Sequence, residues 1–312
     1  MEIIQVMEPV LSRNIQTGTE WAHQVKWDGI RGITYIENGN FHVLTRSGRE
    51  RTDFYPEISD TVNLLSGKQA VLDGEIVVFD SENRPSFQRV LTRERLRTKS
   101  NLPVYLQKYP ANYIIFDILF FNGRDLRNLP LEERLEILQT KMHKNAHITL
   151  TDSFPDGTQL FNLMRQKNYE GIVSKKKSSK YLAGKKHNQW FKTKILKKTL
   201  AVIGGLSWRA KSPNSLLLGI YENNNLIYIG NASLGLTQND FHLLKDYSST
   251  NAQPQSPFAN LSKAKDTTWL QPILTCWVSY LEWTDGKSLR HPKILGFSKE
   301  QAQNADGKEF SI

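Results

Sequence analysis

From about residue 20 the chain alternates short β-branched and aromatic runs with turn residues. Glu37-Asn38-Gly39-Asn40, for example, separates two such runs, and this pattern predicts antiparallel hairpins. Apolar residues recur at helical spacing over residues 56–65, 87–96, 131–142 and 159–167, and strand-like runs cover 70–79, 112–121 and 171–176. Helices and strands interleaved this way predict an α+β protein, with antiparallel sheets and flanking helices rather than a regularly wound parallel sheet. The basic run from Lys192 to Lys198 marks a seam near residues 195–200. Beyond it lie short strands separated by turns such as Glu222-Asn223-Asn224-Asn225, and a polar, Pro-containing stretch at 248–257 that reads as a loop. The expected division is a first domain at 1–197 and a small all-β domain at 198–312, with no internal repeat.

Composition sharpens this picture in three ways. A length of 312 residues suits two domains, and 39% hydrophobic with 23% charged residues describes a folding chain. The net charge of +10 points to a polyanionic partner, since Lys and Arg gain affinity by displacing counterions from phosphates. Cys276 is the only cysteine, which excludes intramolecular disulfides and four-cysteine zinc modules and fits a reducing cytoplasm. The longest apolar stretch, residues 113–121, is interrupted by Asp117 and too short to span a membrane, and the amino terminus lacks the basic, apolar pattern of an export signal. A soluble, intracellular protein is expected.

The chemistry is carried by an ordered series of segments. In Lys26-Trp27-Asp28-Gly29-Ile30-Arg31 a lysine precedes an Asp-Gly turn. Lysine attacks phosphorus only when neutral, so burial and neighbouring cations such as Arg31, Lys192 and Lys194 are expected to lower its pKa from the ordinary value near 10.4. Thr45-Arg46-Ser47-Gly48-Arg49 presents two guanidiniums able to grip phosphate. In the apolar strand Val71 to Phe79, period-two alternation puts Asp73 and Glu75 on one face, where they could hold a ribose hydroxyl or a metal, or form a structural salt bridge. Phe116 could stack on a purine beside Asp117, or simply pack in the core. Glu170-Gly171-Ile172-Val173-Ser174-Lys175 places a carboxylate suited to Mg2+ at a strand entrance. Lys192 and Lys194 alternate to one face of a strand, as phosphate ligands or as a guarded edge. Six cations within sixteen residues, Arg84, Arg89, Arg93, Arg95, Arg97 and Lys99, suggest contact with nucleic-acid phosphates.

Taken in order, these segments resemble the nucleotidyltransferase motifs of ATP-dependent DNA ligases, a superfamily shared with messenger-RNA capping enzymes and RNA ligases. They look most like the ligase domain of bacterial end-joining ligases. The resemblance runs from about residue 5 to about residue 300 and includes Glu282-Trp283-Thr284-Asp285-Gly286 followed by Leu289-Arg290-His291-Pro292. It implies that Lys26 attacks the α-phosphate of ATP to give lysyl-AMP, that AMP passes to the 5′-phosphate of a nick, and that the 3′-hydroxyl then seals the strand. It implies nucleotide contacts at Gln24 and Val25, sugar contacts at Arg31 and Glu75, phosphate at Arg46, Lys192 and Lys194, and the adenine face at Phe116. Arg290 and Lys299 would complete the nucleotide contacts, and Glu170, Asp73 and Glu75 would serve Mg2+ or Mn2+. An adenylation domain followed by an OB-fold that clamps DNA is the implied fold.

The resemblance further implies nicked duplex DNA as substrate, a Ku-type end-binding partner, a monomer, and a cytoplasmic, nucleoid-associated setting in a bacterium or virus with no membrane role. No separate DNA-binding domain fits before Lys26, so a minimal ligase is expected. Two positions depart from the family pattern. Ser298 stands where the family has an arginine that meets the leaving pyrophosphate, with Lys299 as neighbouring point charge, and Gln24 stands where a glutamate is usual. Two rival readings stay open: a capping guanylyltransferase or RNA ligase, and a nucleic-acid-binding protein with an idle site.

Overall fold

A computed structural model describes residues 3–311. The chain divides into two compact units, residues 1–194 and 195–312. The division falls between Lys194 and Ile195, where the sequence pattern had placed it after residue 197.

The first unit carries strands β1 (Glu8–Leu11), β2 (Trp21–Val25), β3 (Ile30–Glu37), β4 (Asn40–Thr45), β5 (Gln69–Val78), β6 (Ala111–Phe121), β7 (Arg124–Asp125), β8 (Ile148–Leu150), β9 (Gly171–Lys176) and β10 (Lys186–Lys194). Its helices are α1 (Thr61–Leu64), α2 (Phe87–Glu94), α3 (Leu102–Lys108), α4 (Leu131–Lys141) and α5 (Gly157–Gln166). Two sheets result, one in the order β1-β10-β9-β2 and the other in the order β4-β3-β5-β6-β7 with β8 added on β6. Nearly all pairings are antiparallel, the exceptions being β1 with β10 and β6 with β8.

Central strands β5 and β6 are rich in Val, Ile and Phe because both faces of their sheet are covered. One face packs on the helical side through Ile58, Val90, Leu138 and Ile148. The other contributes Ile33, Val71 and Leu119 to a core shared with Met7, Tyr181 and Trp190. The β5–β6 register shifts at Asp73/Gly74. A Cβ at Gly74 would lie 2.5 Å from the Tyr113 ring and 2.8 Å from the Ile114 carbonyl, so glycine is required there. Helix α4 has acids in its first turn and Lys141 in its last, matching the helix dipole. Asp156 caps α5 by accepting from the backbone N–H groups of Thr158 and Gln159.

The second unit is organised by one long strand, β11 (Lys197–Arg209), followed by β12 (Ser212–Glu222) and β13 (Asn225–Ala232). Helix α6 (Gln238–Asn251) comes next, then β14 (Ala252–Gln253), β15 (Thr267–Leu270), β16 (Thr275–Tyr280), β17 (Lys293–Ser298) and β18 (Phe310–Ser311). Strand β11 bonds to β12, β15, β16 and β18, curling the sheet about a core of Ile203, Leu218, Ile229, Leu270 and Val278. This is the OB-fold part of the α+β architecture.

Three expectations need correction. The second unit holds a 14-residue helix beside its strands, so it is not all-β. Residues 248–251, expected in a loop, form the last turn of α6, and 252–253 form β14. The run Ser-Ser-Thr-Asn hides the helix end, while its start carries a legible signal, the capping box of Thr237 and Asp240. The basic segment 84–99 is also not six free cations. Arg93 is buried, bound to Glu57 and to the carbonyls of Phe54 and Tyr109. Arg84 pairs with Asp80, Arg89 donates to the Phe79 carbonyl and Lys99 pairs with Asp53, so only Arg95 and Arg97 are exposed without a described partner. Among the described residues no helix is long and apolar enough to cross a membrane.

Asp117 and Arg134 form a fully buried two-point pair, Nε to Oδ1 at 2.7 Å and Nη2 to Oδ2 at 2.8 Å. Arg134→Met strands the carboxylate and is expected to destabilise the first unit by about 3–5 kcal/mol, read as a lower denaturation midpoint. Adding Asp117→Leu is expected to recover much of the loss.

Candidate active site

The face shared by β2, β9 and β10 determines the site. Gln24, Val173 and Lys192 are register partners across these strands, and two residues along each strand Ala22, Lys175 and Trp190 are partners in turn. Period-two alternation therefore lines one side of a cavity from three strands. The opposite wall comes from Arg31 on β3, Glu75 on β5 and Phe116 on β6, enclosing a cavity of about 370 Å3. Gln24, Val25, Lys26, Arg31, Arg46, Glu75, Phe116 and Lys192, proposed from the sequence, all line it.

Lys26 follows β2 directly, and its backbone N–H donates to the Gly171 carbonyl at 2.9 Å, fixing it beside the start of β9. Gly171 has φ +142, and a Cβ there would lie 2.1 Å from the Thr193 carbonyl. Only glycine lets β10 come this close to Glu170. The Glu170 carboxylate accordingly meets two lysines, accepting from Lys26 Nζ on one oxygen and from Lys194 Nζ, at 2.8 Å, on the other. Glu170 and Lys194 thus reach the cavity through Lys26.

This arrangement reverses the expected charge state of Lys26. Burial pushes its pKa down, but the carboxylates of Glu170, Glu75 and Asp28 outweigh burial and hold it above the ordinary lysine range. Burial also resists the charge on Glu170, yet Lys26 and Lys194 keep its pKa below the usual carboxylate range. Glu75 behaves oppositely, since burial lifts its carboxyl to about 8 against the pull of Lys26 and Arg31. Lys192 is lowered, first by partial burial and then by Lys26, Lys194 and Lys186. Two lysines at the same mouth are therefore poised differently, Lys26 paired with acids and Lys192 among cations.

Asp73 does not stand free on the cavity face. It is wholly buried, accepts Nε of Arg31 at 2.8 Å and a second bond from Arg31 Nη2, and takes the Tyr181 hydroxyl at 2.7 Å. Its oxygens are already engaged, which favours the salt-bridge reading over metal coordination. Among the described residues no group of three or more His, Cys, Asp or Glu could hold a metal on protein ligands alone. Both oxygens of Glu170 are likewise taken, by Lys26 and Lys194, whereas Glu75 lines the cavity with no described hydrogen bond and is the carboxylate best placed for an ion held largely by phosphates. Arg46 sits at the mouth, largely exposed and paired with Glu8 at 2.9 Å.

Gln24 is buried and donates through Nε2 to Ser153 Oγ at 3.0 Å. Arg290 and Lys299 belong to the second unit; Arg290 pairs with Glu282 at 2.8 Å and Lys299 is exposed. Residues that the sequence did not single out also contribute. Lys175 Nζ lies 4.4 Å from the Phe116 ring centroid and 4.3 Å from that of Trp190, with burial lowering its pKa to about 7. Strand alternation from Val173 and from Lys192 could have indicated Lys175 and Trp190. Nothing in the local sequence indicates Tyr181, which lies in the segment between β9 and β10.

Comparison with known proteins assigns the chain to a family. A family model for the ATP dependent DNA ligase domain matches residues 5–194, and one for the ATP dependent DNA ligase C terminal region matches residues 209–301. The multifunctional non-homologous end joining protein LigD of Mycolicibacterium smegmatis is 32% identical over 292 residues, covering 90% of this chain and 36% of that protein. The multifunctional non-homologous end joining DNA repair protein LigD of Mycobacterium tuberculosis is 30% identical over 293 residues, 91% of this chain and 37% of that protein. The chain thus spans little more than a third of the length of these relatives. A solved mycobacterial DNA ligase D complexed with ATP and MES superimposes with a TM-score of 0.55 at 29% identity, covering 98% of this chain and 99% of that one. The matched regions fall in both units and in the same order, and on that ground this chain belongs to the ATP-dependent DNA ligase family.

Proposed function

We propose that the chain seals nicks between a 5′-phosphate and a 3′-hydroxyl in duplex DNA, using ATP and a covalent lysyl-AMP intermediate on Lys26. The observation that carries this reading is the placement of Lys26 at a cavity lined by Phe116, Arg31 and Lys192 and joined to Lys194 through Glu170. Such a cavity offers an aromatic face for a purine at one side and cations for phosphates at the other. Neutral Lys26 Nζ forms a bond to the α-phosphorus as the bond to pyrophosphate breaks. The adenylyl group then passes to the 5′-phosphate of the nick, and attack by the 3′-hydroxyl forms the phosphodiester and releases AMP.

Before attack Lys26 must give up the proton that its carboxylate neighbours stabilise. Mg2+ or Mn2+ on Glu75, and on Glu170 once a lysine has released one of its oxygens, would supply charge neutralisation at the phosphates. The buried Asp73 orients Arg31, in this reading, and does not bind metal.

Exposed Arg95 and Arg97 suit DNA phosphates. The names of the LigD relatives, which specify non-homologous end joining and DNA repair, support a role in those processes, and the same reading takes a Ku-type end-binding protein as partner and a monomer, in the cytoplasm at the nucleoid, as working unit.

Incubation with ATP labelled on the α-phosphate and Mg2+ is expected to leave label on the denatured protein, and Lys26→Ala to abolish it; absence of label on the unsubstituted chain, or preference for GTP, would sink the ligase reading. In single turnovers the labelling rate is expected to rise roughly tenfold per pH unit over about pH 6 to 8, because Lys26 is held protonated there. Glu170→Gln should move that rise to lower pH while lowering its plateau. Ser298→Arg should speed self-adenylylation several-fold, and an unchanged or slower rate would count against the missing arginine as a limit on that step.

A further inference from the structure

Tyr181 lies in the segment between β9 and β10, buried to 3% exposure, outside every motif of the sequence. Its ring is held edge-on to Trp190, with centroids 5.7 Å apart at 78°, and Arg134 lies 5.9 Å from its centroid. A phenol oxygen has one hydrogen to give and two lone pairs to fill. All three are used: the hydroxyl donates to Asp73 Oδ2 at 2.7 Å, and accepts from the Met7 backbone N–H at 3.1 Å and from Arg31 Nη2 at 3.2 Å.

Tyr181, Asp73 and Met7 close a ring around the Arg31 guanidinium. Nε and Nη2 go to the two oxygens of Asp73, the second hydrogen of Nη2 goes to Tyr181, and Nη1 gives one hydrogen to the Met7 carbonyl at 2.7 Å. Guanidinium carries five N–H groups. Four are consumed inside the protein, leaving one on Nη1 for the cavity that Arg31 lines. An arginine without such a clamp would sample many rotamers and lose that freedom on binding. Here the cost is met on folding.

We propose that Tyr181 is a positioning residue for nucleotide binding, its hydroxyl locking the Arg31–Asp73 pair so that Arg31 offers a single N–H in one fixed direction to the nucleotide. This rests on the reading of the cavity as the ATP site. A competing role, in which Tyr181 merely ties Met7 and the β9–β10 segment together, predicts lost stability without any effect routed through Arg31.

The test uses the whole chain and covalent labelling by ATP, normalised to the fraction of molecules that label at saturation. Tyr181→Phe keeps the ring packing and removes only the hydroxyl. It is expected to raise the KM for ATP about tenfold, with the saturated labelling rate changed less than about twofold. In an Arg31→Lys background, where no fork remains to be oriented, the same substitution should leave KM unchanged. Unchanged KM on Tyr181→Phe would overturn the proposal, as would an equal rise in the Arg31→Lys background. If Tyr181→Phe fails to fold, Asp73→Asn tests the same clamp, with the same rise and the same loss of effect expected beside Arg31→Lys. Absence of any label on the unsubstituted chain would instead overturn the ligase reading itself.

Discussion

A carboxylate shared by two lysines sets the terms for the first unit. Glu170 stands where β9 begins, Lys26 where β2 has just ended and Lys194 at the end of β10, so three neighbouring strands converge on one negative charge. Buried charge is tolerated only when matched. The match requires Gly171, whose bare α-carbon admits the Thr193 carbonyl, and a strand register that turns Val173, Lys175, Trp190 and Lys192 to one side. The cavity wall is therefore a by-product of satisfying Glu170.

The opposite wall obeys the same rule twice. Asp73 is matched by Arg31 and Asp117 by Arg134, each through two hydrogen bonds, and both pairs touch Tyr181. With the two aspartates answered one for one, Lys175 is the surplus cation among them, held against two aromatic rings with its pKa lowered to about 7. A buried amine close to neutral costs less than a third buried charge would. With a pKa near neutrality that amine carries its charge only part of the time, so this wall is less positive than the lysine count suggests.

Residues that act through strand alternation were legible from the sequence. Lys192 and Lys194, and Glu75, could be put on their strand faces because a period of two is written into neighbouring letters. What escaped depends on partners far away along the chain. The charge state of Lys26 is set by Glu170, 144 residues on, and the fate of Asp73 by Tyr181, 108 residues on. A lysine read only beside Arg31 should lose its proton easily, and read beside two carboxylates it does not. Arg93 misled for the same reason, since a cation in a basic run looks solvated until Glu57 and two carbonyls are found around it. Helix α6 escaped because its closing Ser-Ser-Thr-Asn favours turns as readily as helix.

Strand β11 carries a consequence for how the second unit comes apart. Its first half bonds to β16 and β18, its second half to β15, and β12 runs along it from Val202 to Arg209. Hairpins that share no strand can fray separately, each with its own small opening free energy. Here every large pairing except β12–β13, β14–β15 and β16–β17 passes through one 13-residue segment, so opening that segment exposes the whole core at once. The unit is thereby expected to open largely as one block, with the strands that do not pair with β11, namely β13, β14 and β17, freest to fray first.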